Sequence, residues 1–103
     1  MKYFALLTPS PGKTADDFLP LRLLEERRVW QLYCADVIRE MHFQPEPLRV
    51  ALQFECDRAD TVHLHLATLP MVAEGLFEVD LMQMGPWLPF AALFSPESSG
   101  VQV

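Results

Sequence analysis

The chain has 103 residues, half of them hydrophobic and 21% charged, with 14 acidic against 8 basic side chains and a net charge of −6. That length fits one domain, and the composition excludes a disordered tail, a collagen-like repeat and a disulfide scaffold. The acidic excess repels phosphate backbones and anionic lipid, so no nucleic-acid or membrane partner is expected.

Residues 1–9 are apolar enough to suggest a leader. The run is short, however, and Pro9, Pro11 and Lys13 follow it without a small-residue cleavage site. The segment reads as a first strand over residues 2–8, in a cytoplasmic protein. No apolar run approaches the roughly 20 residues of a spanning helix. Cys34 and Cys56 lack C-x-x-C spacing and read as reduced packing residues.

A turn-dense loop follows over residues 8–13. Thr14 and Asp17 then form a shortened capping box at a helix start, with Pro20 shortly after. Residues 21–35 contain neither Gly nor Pro and are rich in Leu, Glu, Arg and Gln, which predicts the main helix. Its buried face is expected from Leu21 or Leu24 with Val29, Leu32 and Tyr33, and Arg22 is expected to pair with Glu25 or Glu26.

Residues 36–43 and 48–56 read as two strands joined through Gln44-Pro45-Glu46-Pro47, because neither proline can donate to a ladder. In the second of these, Val50, Leu52 and Phe54 share one parity; Arg49, Ala51, Gln53 and Glu55 share the other. Asp57 or Asp60 is a candidate cap for a second helix, in which Ala59, Val62, Leu66 and Leu69 recur at helical spacing and which Pro70 ends. A last strand over residues 76–84 alternates Phe77, Val79 and Leu81 with Glu78, Asp80 and Met82. Residues 86–94 form a proline-broken apolar extension, and 95–103 read as a flexible tail.

The order β-α-β-β-α-β is the ferredoxin-like arrangement: an α+β domain over residues 1–94 whose four-stranded antiparallel sheet carries both helices on one face. The other face is bare. A second copy packed sheet to sheet would cover it, giving a dimeric α+β barrel. The extension carries Trp87, Phe90, Leu93 and Phe94, and is expected either to pack over the sheet or to reach the partner subunit.

Several short stretches, in their order along the chain, carry a resemblance. Residues 65–72, His-Leu-Ala-Thr-Leu-Pro-Met-Val, followed by Glu78-Val79-Asp80, resemble the second half of muconolactone isomerase. Arg39-Glu40, Glu55, Asp80 and the ending Gly85-Pro86-Trp87…Phe90…Leu93-Phe94 resemble a bacterial group of small muconolactone isomerase-like proteins. The likeness covers about residues 1–94 and implies the dimeric α+β barrel. It also implies a cofactor-free isomerase, which removes a proton beside a carbonyl and returns it one or two carbons away.

For that chemistry the strand parities bring Glu55 and Asp80 to the same side of the sheet, as candidate proton carriers. Glu78 is a further carboxylate of the last strand. Salt bridges to Arg49 or Arg39 are the structural alternative. Arg39, on the more apolar parity of its strand, could hold a substrate carboxylate through a two-pronged contact. His42 could be a second proton carrier or a residue at the rim of the proline loop. Trp30, Tyr33, Phe43 and Trp87 could line a substrate pocket or be plain core. His63 and His65 lie two apart on a helix and cannot ligate one ion, so no metal site is expected. No nucleotide, nicotinamide or hydrolase motif occurs. The alternatives to an isomerase are a non-catalytic dimeric module that binds a small hydrophobic or anionic ligand, and a monooxygenase on the same scaffold.

Overall fold

A computed structural model describes residues 1–94; the tail over 95–103 lies outside them. The elements in order are β1 (Lys2–Pro9), α1 (Ala15–Phe18), a 3-10 turn (Leu19–Leu21), α2 (Arg22–Cys34), β2 (Ile38–Pro45), β3 (Leu48–Glu55), α3 (Ala59–Leu66), α4 (Pro70–Ala73), β4 (Phe77–Met84) and a second 3-10 segment (Leu88–Leu93). The sheet order is β2-β3-β1-β4 with every neighbour antiparallel, the ferredoxin-like topology expected from the sequence.

Local signals explain the boundaries. The Thr14 N–H donates to Asp17 Oδ2 at 2.7 Å, so the aspartate takes the glutamate's part in the capping box. Pro20 sits in the 3-10 turn and leaves α2 uninterrupted. At the end of α2, Asp36 takes up a left-handed backbone (φ 62°), and Val37 N–H returns to the Leu32 carbonyl at 2.9 Å. Two expectations about the second helix need correction. Arg58, not Asp57 or Asp60, occupies its N-cap position, with no side-chain cap bond. Pro70 does not end it either: Pro70 opens the separate short helix α4, where its missing N–H costs nothing.

One face of the sheet packs under the helices. Tyr3, Ala5 and Leu7 of β1, Leu52 and Phe54 of β3, Ile38 of β2 and Phe77 of β4 are buried there with Phe18, Leu32, Val62, Leu66, Leu69 and Met71. Arg28 ties the layer together: its Nε donates to Thr68 Oγ1 at 2.8 Å, and that hydroxyl donates to the His65 carbonyl at 2.6 Å.

The opposite face is bare, as the parity predicted. Its cross-strand rows run His42–Ala51–Leu6–Asp80 and Glu40–Gln53–Phe4–Met82, with Glu55–Lys2–Met84 at one end. A β-bulge between Ile38 and Glu40 sets β2 against this pattern. Ile38 pairs with Phe54 on the helix side. Beyond the bulge Met41 and Phe43 take that side, opposite Leu52 and Val50, while Glu40 and His42 face away. His42 therefore shares a face with Glu40 but not with Ile38.

The packing of α2 also departs from the expectation. Its inward residues are Glu25, Val29 and Leu32, with Leu21 just before the helix; Leu24 and Tyr33 are exposed. Glu25 does not pair with Arg22. Its Oε1 accepts the backbone N–H of Met71 at 2.9 Å, and so joins α2 to α4. Among the described residues no helix is long and apolar enough to cross a membrane.

Candidate functional site

The helices do not cover the whole sheet. Toward the hairpin end of β2 the sheet is left uncovered, so that Phe43 is 70% and Met41 39% exposed although both belong to the helix side. Between α2, the 3-10 turn before it and the β2–β3 hairpin opens a cleft of about 900 Å3. Its walls are mostly apolar: Phe18 and Val29 from the helical layer, Met41, Phe43, Val50 and Leu52 from the sheet. Lys13, Arg22, Glu26 and Glu46 also border it, and so does His42 on the β2 edge.

Glu25 is the one buried charged residue among those described, 6% exposed, and it lines this cleft. It sits there because Glu25 lies one turn before Val29 and two before Leu32, on the stripe of α2 that meets the sheet. Burial pushes its carboxyl pKa up; the Met71 N–H opposes that shift, and neighbouring Glu26 adds to it. Oε1 carries the Met71 bond. Oε2 has no hydrogen-bond partner and is not fully enclosed, in a residue that lines the cleft. A carboxyl of raised pKa with one oxygen unbonded can both take and return a proton. Arg22 lines the same cleft three residues before Glu25, with a permanent positive charge for an anionic group.

The residues singled out from the sequence go to three places. Glu55 and Asp80 share the bare face, as their parity requires. They are not neighbours: two strand spacings and four residues of β1 separate them, about 16 Å. Glu55 is held by the N-terminal ammonium at 3.2 Å, the one ion pair among the described residues. Asp80 stands opposite Leu6, in the same row as His42 but three strands away. A shallow depression of about 210 Å3 on that face is bordered by Leu6, Ala51, Arg49 and His42. Arg39 is the bulged residue. It is exposed, and its Nε donates to the Asp36 carbonyl at 2.8 Å; neither Arg39 nor Arg49 forms an ion pair with Glu55, Glu78 or Asp80.

Of the four aromatics, only Phe43 lines the cleft. Trp30 and Tyr33 stack on each other on the exposed side of α2, ring centroids 5.8 Å apart. Trp87 packs edge-on against Phe90, 5.9 Å away, within the extension. On α3, His63 is exposed and His65 half-buried. Cys56 is buried, as a packing cysteine should be; Cys34, at the end of α2, is exposed.

Sequence reasoning missed Glu25 as a site residue. A signal was present: in the Arg22–Cys34 helix, Glu25 is in phase with Val29 and Leu32, so an acid interrupts the apolar stripe. The expected pairing with Arg22, one turn away, assigned its charge elsewhere.

No protein-family profile and no curated protein matches the chain. Among solved structures the chain is similar to 5-chloro-2-hydroxyhydroquinone dehydrochlorinase from Burkholderia phenoliruptrix AC1100, in complex with 2,5-dihydroxybenzoquinone. The TM-score is 0.70 at 14% identity, over 84% of this chain and 96% of that one. At such identity the likeness establishes the fold: an α+β domain with a four-stranded antiparallel sheet, of the ferredoxin-like α+β barrel type.

Proposed function

We propose that the chain is a cofactor-free enzyme of the isomerase type, moving a proton on a small unsaturated cyclic carbonyl compound, such as a butenolide lactone, inside the α2–hairpin cleft. The observation that carries this reading is the Glu25 carboxyl, buried at the cleft wall with a raised pKa and one oxygen unbonded. In the reaction the carboxylate removes a proton from the carbon next to the carbonyl. The electron pair passes to the carbonyl oxygen as an enolate. The same carboxyl then returns the proton to a different carbon, so the double bond shifts with no net change of electrons. Arg22 holds an anionic substituent or the developing enolate, and Phe43, Met41 and Leu52 enclose the ring. The resemblance to muconolactone isomerase supports the reaction class. The fold neighbour, whose structure holds a quinone, supports the size and shape of the substrate.

The bare face we assign to a second copy of the chain. Phe4, Leu6, Ala51 and Met82 make its apolar centre; Glu40, His42, Arg49, Glu55, Glu78 and Asp80 lie around it. On this reading Glu55, Asp80 and His42 serve the contact between subunits.

The test is a panel of butenolides and small keto acids assayed with the purified protein and with Glu25→Gln. Glutamine keeps the acceptor for Met71 but cannot carry a proton. Turnover should fall about 10²–10⁴-fold with the fold intact. Undiminished turnover would remove Glu25 from the chemistry. Ligand binding with no turnover in either protein would leave a binding module.

A further inference from the structure

The cleft is too open for the task given to it. A six-membered ring fills roughly 150 Å3 of apolar cavity, and the space beside Glu25 is about 900 Å3 and reaches solvent along the β2 edge. Proton transfer by a carboxyl of raised pKa needs water kept out. Something else must close the cleft.

The same chain carries an apolar segment with nothing to cover it. Residues 85–94 contain no charged side chain. Trp87, Leu88, Phe90, Leu93 and Phe94 are between 62% and 85% exposed. Pro89 near the start of the 3-10 segment and the Trp87–Phe90 edge contact preshape it, so little freedom is lost on docking. It is no candidate for a further strand, since Pro86 and Pro89 cannot donate to a ladder.

The arm cannot reach the cleft of its own subunit. It leaves β4 after Met84, whose partner is Lys2, whereas the cleft opens toward Pro9, Pro45 and Leu48 at the other end of the sheet. From Met84, Phe43 is about 17 Å along β4 and about 14 Å across three strand spacings, roughly 22 Å in all, and Met41 is roughly 18 Å. Trp87 lies three extended residues past Met84 and so reaches only about 10 Å. The outer side of α2, with Leu23 and Trp30, is the rival surface; it is convex and interrupted by Arg27 and Glu26, and so offers no anchor pocket.

We infer that residues 85–94 of a second copy of this chain close the cleft between α2 and the β2–β3 hairpin, with Trp87 and Phe90 set against Phe43 and Met41. That the docked arm completes a catalytic site rests on the proposed function; the docking itself does not.

The two are tested separately. One chain carries Phe43→Cys and a differently tagged chain carries Phe90→Cys, both on a Cys34→Ser background, where the remaining Cys56 is buried. The mixed proteins are treated with a short bis-maleimide. A hetero-crosslinked product absent from either chain alone is expected. No such product from chains with native circular dichroism, or a link only within one chain when both cysteines share it, overturns the docking. Next, Trp87→Ser/Phe90→Ser is titrated with 2,5-dihydroxybenzoquinone. The dissociation constant should rise at least tenfold, and an unchanged value overturns the arm's part in the site. A crosslink that forms although Glu25→Gln leaves turnover intact would keep the docking and reject the proposed function.

Discussion

The two faces of the sheet are made from the same four strands, yet they treat acid in opposite ways. On the bare face Glu40, Glu78 and Asp80 are exposed to water, which solvates their charge at little cost. On the helix face Glu25 is buried beside Phe18, Val29 and Met71, and burial raises its pKa. The lesson is that a carboxylate's chemistry follows from what surrounds it. Of these acids, the one set in an apolar stripe is the one whose pKa burial raises.

The contrast can be broken by mutation. The largest effect belongs to the core beneath both faces: Phe54→Ala should cost about 3–5 kcal/mol in urea unfolding, since Phe54 is fully buried. Phe43→Ala, on the same side of the sheet but 70% exposed, should stay within about 0.5 kcal/mol. If the two cost the same, the cleft is not open.

Glu25→Ala comes next. It strands the Met71 N–H and should destabilise by about 1–3 kcal/mol; Glu25→Gln keeps that bond and should not. The pH dependence sharpens the point. The folded chain holds the Glu25 proton more tightly than the unfolded chain does, so the folded state binds more protons in that range. Stability therefore falls as pH rises from the ordinary carboxylate value to the raised one, and is level above it. Glu25→Gln should remove that slope from thermal melts taken through the carboxylate range.

On the bare face, Leu6→Arg should convert the proposed dimer to a monomer in light scattering with the fold unchanged, because Leu6 stands in the cross-strand row between Ala51 and Asp80. The smallest effect is at the end of α2. Asp36→Gly removes the side chain from a left-handed backbone and should stabilise by at most about 1 kcal/mol.

Much of this architecture was legible in the sequence. Proline pairs and alternating strands gave the element order and the split into two faces, because a period of two and a missing N–H are local facts. The phase of α2 was not legible in the same way. Tyr33 and Leu24 are as apolar as Val29, and only the sheet beneath decides which stripe is buried. The bulge at Arg39 was invisible for a similar reason: an extra residue in a strand leaves no mark on composition. The site was missed on the same account. Carboxylates were sought where strands display them, whereas Glu25 depends on how a helix is rotated over its neighbours.

That irregularity at Arg39 has a consequence for how such a scaffold changes over generations. Remove one residue there and the rest of β2 would exchange sides: Met41 and Phe43 would turn outward, and Glu40 and His42 would enter the cavity. A single codon lost or gained could thus turn a greasy chamber into one with an imidazole and a second acid, leaving the other three strands untouched.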